Sequence, residues 1–470
     1  MSIITEVEPQ DIQPAHNKNI FVFDSTNKGE DKFEYVCSIE VGGSSIANLK
    51  VQSNPQGYGI LDVSRHLQNY ISYDLPTSDL FKSISNSTLN YTLEVAERYT
   101  RDVTITVVDN GGLMQINFSL HQLVVGDFVT ISGTGVTTYD AIHEVVSVDS
   151  SNAVTLNTAY TSAAIGTGVR SDGAATTQSF ATIGTYQVIN NVIKHNDTWD
   201  NTDYEINAVD MGTFLTNLPN GSMVRLDDFL TINFLTHLDN SGGSMQGNTL
   251  GITTSDGRTY YFENTITGED LIAIGVGPKN IEGKAVDATI SQPALPVITD
   301  DVEWYDVFLV KSGFLGEQVV SALKRFTIDR SCTSDGATTL TYLNTGGSWS
   351  VFHFLGERTK TISNKKTTYR KNVGAFDGVS EYGYSKSDRG LTTINVDVTE
   401  KHTINSRYLR SSEGDLIEDL INSPEVYEVS GSDLLPINID TTSVKIKKKS
   451  IDKLISYSLD FQYSNKNKVQ

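Results

Sequence analysis

Short strand-like runs recur from one end of this chain to the other, joined by Asn-Gly and Asp-Gly turns. Residues 103–108 (Val-Thr-Ile-Thr-Val-Val) alternate apolar and polar side chains. Asp109-Asn110-Gly111-Gly112 follows, and then a second alternating run over 113–118. Two period-2 runs flanking residues that tolerate positive φ form the strongest short-range hairpin signal a sequence offers. The pattern returns at 252–262, where Asp256-Gly257 separates Ile252-Thr253-Thr254 from Thr259-Tyr260-Tyr261-Phe262. A chain punctuated in this way reads as a protein built mainly of β-strands and turns.

The 470 residues are enough for roughly three or four domains. Thr, Ser, Asn and Asp are abundant while Lys, Glu and Ala are sparse, which favours strands and turns over helices. The expected fold is all-β with two or three short helices. It consists of tandem β-sandwich and small-barrel domains with one inserted β module. Residues 1–101 plus 175–215 read as an N-terminal sandwich-like domain. Residues 102–174, a compact run of Gly, Thr and Val, read as an inserted small barrel. Residues 216–330 form a middle β domain, and 331–470 an α+β assembly domain. One helix is expected where Val63, Leu67, Tyr70 and Ile71 recur at i, i+4, i+7, i+8, with Asp62 or Ser64 capping it. A second is expected over 413–422, stopped by Pro424.

The net charge of −21 is unevenly placed. Residues 1–300 hold the whole acidic excess, and 301–470 are balanced. An acidic surface repels phosphates and anionic membranes, so nucleic acid and membrane insertion are not expected. Cys37 and Cys332 are too few and too far apart for a disulfide framework. Each reads as a small buried apolar residue, which fits assembly in a reducing cytoplasm. The N-terminus lacks the charged and apolar regions of a signal peptide.

No catalytic constellation stands out. The eight histidines show no ligand spacing, and His143-Glu144-Val145-Val146 lacks the second His of a zinc-protease motif. Asp227-Asp228 and Asp300-Asp301 are adjacent pairs, which on a strand point to opposite faces. No catalytic residue, cofactor or metal site is expected. Two candidate contacts remain. Lys445, Lys447, Lys448 and Lys449 read as a lysine-protected edge strand, or as a docking site for an acidic neighbour. Trp199, in the polar stretch 195–201, reads as the most exposed of three tryptophans and is a candidate glycan platform. Trp304 and Trp349 sit in apolar runs and read as core.

Several segments resemble virion structural proteins of tailed bacteriophages, particularly those of Bacteroidetes hosts, including the crAss-like group. They are 21–27, 33–37 and 57–65 near the start, 123–133 with Tyr139 in the insert, and 342–349, 423–427, 435–437 and the closing strand to Tyr463 at the end. The resemblance implies a non-enzymatic virion protein of the tail, baseplate or tail ring, assembled in the host cytoplasm. Its partners would be copies of itself, in a ring-like or trimeric homo-oligomer, and other tail proteins. The alternative is a host-surface, glycan-binding fibre protein.

Overall fold

The structure is a computed structural model. It describes residues 3–30, 32–100, 103–117, 123–170, 176–177, 179–194, 197–206, 211–236, 249–266, 268–288, 290–313, 316–331, 337–376, 378–379, 381–409, 413–441 and 456–465. The fold is all-β, and its described helices are three short ones: Ser64–Leu67, Pro278–Ile281 and Gly414–Asn422. The chain divides into two compact units. One holds Met1–Tyr73 and Ser85–Asn201, and the other Asp74–Ile84 and Thr202–Gln470.

In the first unit, a three-stranded sheet (Ile3–Val7, Ile20–Ser25, Gly59–Asp62) packs on a six-stranded one. Alternation decides the packing. Phe21 and Phe23 from the small sheet meet Tyr35, Cys37, Ile39, Leu93, Val95 and Tyr186 from the large one, all buried. Burial pushes the Cys37 thiol up to about 12, so it behaves as an apolar side chain. Cys332 lies outside the described residues.

The inserted module is a closed barrel of six strands: Val103–Asn110, Leu113–Asn117, Phe128–Ser132, Ile142–Ser150, Ala153–Ala159 and Ala164–Arg170. It leaves the large sheet after Thr88–Tyr99 and returns into Ala181–Ile189, which pairs back onto Thr88–Tyr99 from Thr88↔Ile189 to Val95↔Ala181. The barrel is therefore a guest between two neighbouring strands of its host. Its first hairpin pairs Asn110 with Leu113. The two turn residues are thus Gly111 and Gly112, at φ 66° and 88°, one position beyond the Asn-Gly pair that signals the turn in the sequence. Both central residues of such a turn need positive φ, which only Gly adopts at little cost.

In the second unit, a four-stranded, a six-stranded and a seven-stranded sheet share one apolar cluster that runs from Leu80 to Phe461. The sequence reading separates 216–330 from 331–470, whereas the structure ties them together. The Trp349 amide donates to Thr231 Oγ1 at 2.9 Å, and Asn233 Nδ2 donates to Gly347 O at 2.9 Å. The stretch 74–84, read as part of the first domain, also belongs here. Phe81–Ser83 pairs with Leu271–Gly275, and the buried Trp349 donates Nε1–H to Asp74 O at 2.7 Å.

The first helix is shorter than its apolar spacing predicts. Val63 and Leu67 are buried, but the helix closes after one turn and Tyr70 is exposed. The N-cap residue is Val63, not Asp62 or Ser64 as the spacing predicts, although Asp62 Oδ1 accepts from the Ser64 amide at 3.1 Å from one position further out. The third helix follows its pattern, burying Leu416, Ile417 and Leu420.

Candidate interaction site

Two strands of the seven-stranded sheet continue far beyond their neighbours. Arg358–Arg370 has 13 residues and Leu391–Asn405 has 15. They pair antiparallel from Arg358↔Ile404 to Arg370↔Leu391. At about 3.4 Å per residue the longer strand is roughly 50 Å long. The third strand, Ser458–Tyr463, supports only residues 402–405. Beyond it the ribbon has two strands, and every residue of Arg358–Arg370 is exposed. A two-stranded ribbon by itself is at best marginally stable in water.

The pleat gives the ribbon two unlike faces. One carries Thr359, Thr361, Ser363, Lys365 and Thr367, opposite Thr403, Lys401, Thr399, Asp397 and Asn395. The other begins in the core, with Ile404 and His402 buried. It continues outward through Ile362, Val398 and Val396. Ile362 is 53% exposed, and Ile394, at the bulge, 66%. This face is mixed: Lys360, Glu400, Asn364 and Lys366 alternate with Ile362, Val398 and Val396 on it, Lys360 pairs with Glu400 at 2.8 Å, and both valines are half-buried.

The base of the ribbon is clamped by a charged network. The Arg358 guanidinium pairs with the buried Glu428 carboxylate through both nitrogens. It also donates to Tyr463 Oη at 3.0 Å and to His402 Nδ1 at 3.2 Å. The His402 ring stacks on Phe461, with centroids 5.1 Å apart. Since Nδ1 accepts from a guanidinium, the proton of neutral His402 sits on Nε2. That atom is buried and has no hydrogen-bond partner among the described residues. Desolvation first, and the Arg358 charge second, hold the His402 pKa below its ordinary value.

A second polar constellation escaped sequence reasoning. Asp228 Oδ2 accepts from His353 Nε2 at 2.8 Å and from the Arg225 amide at 2.7 Å. His353 Nδ1 lies 3.0 Å from Thr339 Oγ1. Strand pairing puts Thr339 opposite His353, while Asp228 arrives from more than a hundred residues away. No spacing rule could have joined the three. His353 lines a cavity of about 360 Å³ together with Asn220, Asp329, Arg407, Tyr408 and Glu413. The order hydroxyl, imidazole, carboxylate is that of an acyl-transfer relay. It serves equally as a brace from a buried carboxylate to two strands, and both ring nitrogens are occupied in that brace.

The residues singled out from sequence are not brought together. Trp199 is half-buried, not the exposed platform expected, and its Nε1 donates to Ile12 O at 2.7 Å. Trp304 is half-buried beneath the Arg325 guanidinium, 3.6 Å from the ring centroid, and Trp349 is core. Lys445, Lys447, Lys448 and Lys449 lie outside the described residues. His143 is a satisfied structural residue, with Nε2 2.8 Å from Tyr139 O and Nδ1 on Thr158. Among the described residues no group of three or more His, Cys, Asp or Glu is placed to hold a metal ion. No described helix is long and apolar enough to cross a membrane.

No family model matches the chain, and no curated protein does. A solved structure it is similar to is the phage phi92 endosialidase, at 12% identity over 98% of this chain and 68% of that one. The TM-score is 0.15, too low for the likeness to carry any argument.

Proposed function

We propose that this chain is a non-enzymatic structural component of a bacteriophage virion. It is a tail, baseplate or tail-ring protein that assembles with copies of itself and docks other tail proteins. The observation that carries this reading is the long two-stranded ribbon, on which Ile362 and Ile394 are exposed among the described residues. Exposed apolar surface of this kind marks an interaction site, and a ribbon gains its stability from a partner. The inserted barrel adds a second self-contained surface. The sequence resemblance to tail proteins supplies the virion context.

A test is sedimentation velocity on the purified full chain across a concentration series. A closed oligomer is expected. A chain that remains monomeric at about 100 µM, where complexes with dissociation constants of that order are half formed, overturns the self-assembly reading.

Host-surface glycan recognition is the second reading. It is favoured by the exposed rings beyond the ribbon shaft: Phe376, Tyr382 and Tyr384, at 63%, 62% and 71%. Glycan-array binding that Tyr384→Ala abolishes would establish it.

A further inference from the structure

We infer that the ribbon face carrying Ile362 and Lys366 docks on the inserted barrel of a neighbouring copy of this chain; the inference rests on the self-assembly reading and names its contact. Three observations converge on this occupant.

The first is an exposed apolar patch on the barrel wall. A barrel core fills its interior, so the outward side chains of a solvated barrel should be polar. Beside Thr130, Ser132 and Glu144, the outer wall of Phe128–Ser132 and Ile142–Ser150 also carries exposed apolar side chains. Phe128 and Ile142 are 50% and 61% exposed, and Val146 and Val148 are 40% and 42%. The preceding loop adds Val124 and Val125, at 62% and 64%. Backbone bonds from Gly126 to Val145 and from Val145 to Asp127 hold that loop beside Val146.

The second is charge. The two ribbon strands hold six basic residues (358, 360, 365, 366, 370 and 401) and two acidic ones (397 and 400), a net of +4. Residues 103–170 of the barrel hold five acidic residues (109, 127, 140, 144 and 149) and one basic residue (170), a net of −4. Glu144 pairs in register with Phe128, so a carboxylate stands beside the aromatic ring on the outer wall. Lys366, paired with Val396 on the same ribbon face as Ile362, is its counterpart in kind. Opposite charges beside exposed apolar side chains fix both attraction and register.

The third is that the two surfaces are different parts of one chain. A contact between unlike patches on identical subunits is heterologous, and repeated head to tail it closes a ring when the rotation allows. Lysines along the free edge of Arg358–Arg370 disfavour edge-to-edge pairing, which leaves the face as the contact.

The experiment uses the full chain and follows association by sedimentation, with near-ultraviolet circular dichroism confirming the fold of each variant. Ile362→Asp and Lys366→Glu on the ribbon, and Glu144→Lys on the barrel, should each weaken association about tenfold or more. The chain carrying both Lys366→Glu and Glu144→Lys should recover. Carbodiimide cross-linking of nitrogen-isotope-mixed chains should join Lys366 of one copy to Glu144 or Asp149 of another. Oligomers that persist unchanged in Ile362→Asp and Lys366→Glu, or cross-links that avoid the barrel, overturn this contact and leave self-assembly standing. A chain that is monomeric in every form overturns both.

Discussion

Replacing Glu428 with Gln tests whether the charged clamp holds the ribbon to its sheet. The substitution keeps the side-chain shape and removes the charge. Arg358 then keeps at most one, neutral acceptor in place of two carboxylate oxygens, and Tyr463 loses its charged acceptor. Removing one partner of a fully buried pair costs about 3–5 kcal/mol. Glu428 is buried, but the Arg358 side chain is 32% exposed, so solvent screens part of that cost. About 2 kcal/mol is the reasoned figure. The second unit has roughly 280 residues. At about 2.1 cal/mol/K per residue its Tm should fall by about 3–4 °C. The loss should also be local. Hydrogen exchange should accelerate first at 358–362, 400–405 and 426–430, with the barrel unchanged. A coupling energy above about 1 kcal/mol in the cycle with Arg358→Gln would confirm the pair. A Tm within 1 °C of the parent, with unchanged exchange at the ribbon base, refutes the clamp.

His402 adds a pH dependence to the same clamp. Its folded pKa is depressed, so the unfolded chain takes up the proton first as pH falls through about 6.5. Stability is complete above that value and declines below it until the folded imidazole also titrates; urea midpoints from pH 8 to 5 should flatten in His402→Gln, and an unchanged slope would place the effect elsewhere. Trp199→Phe removes one N–H···O bond to Ile12 and should cost about 1 kcal/mol in the denaturation midpoint, with self-association intact. Thr339→Ala should leave p-nitrophenyl ester hydrolysis at the buffer rate, as in the parent; a parent rate that this substitution abolishes would make Asp228, His353 and Thr339 a catalytic relay.

The fold class was legible because its signals are local. Alternation at Tyr35, Cys37 and Ile39 marks a one-sided strand, and Gly111-Gly112 marks a hairpin, so the all-β reading and the inserted barrel follow from short windows. What the sequence concealed is non-local. No short window of 216–330 or 331–470 records that Thr231 accepts the Trp349 amide. The 74–84 stretch shows no sign of joining a strand some 190 residues downstream. The ribbon was hidden for a different reason. The run from Arg358 to Arg370 is polar and Lys-rich, and its apolar partners Val396 and Val398 lie on the other strand, so its two-faced character exists only after pairing. Trp199 has polar neighbours in sequence, whereas the Ile12 carbonyl that fixes it is 187 residues away.

The most direct measurement is electron microscopy of purified phage particles labelled with antibody to this chain. Gold clustered symmetrically at the tail, in every particle, is the predicted result. Particles that carry no label, with the chain recovered only from the lysate, would contradict a structural role in the virion.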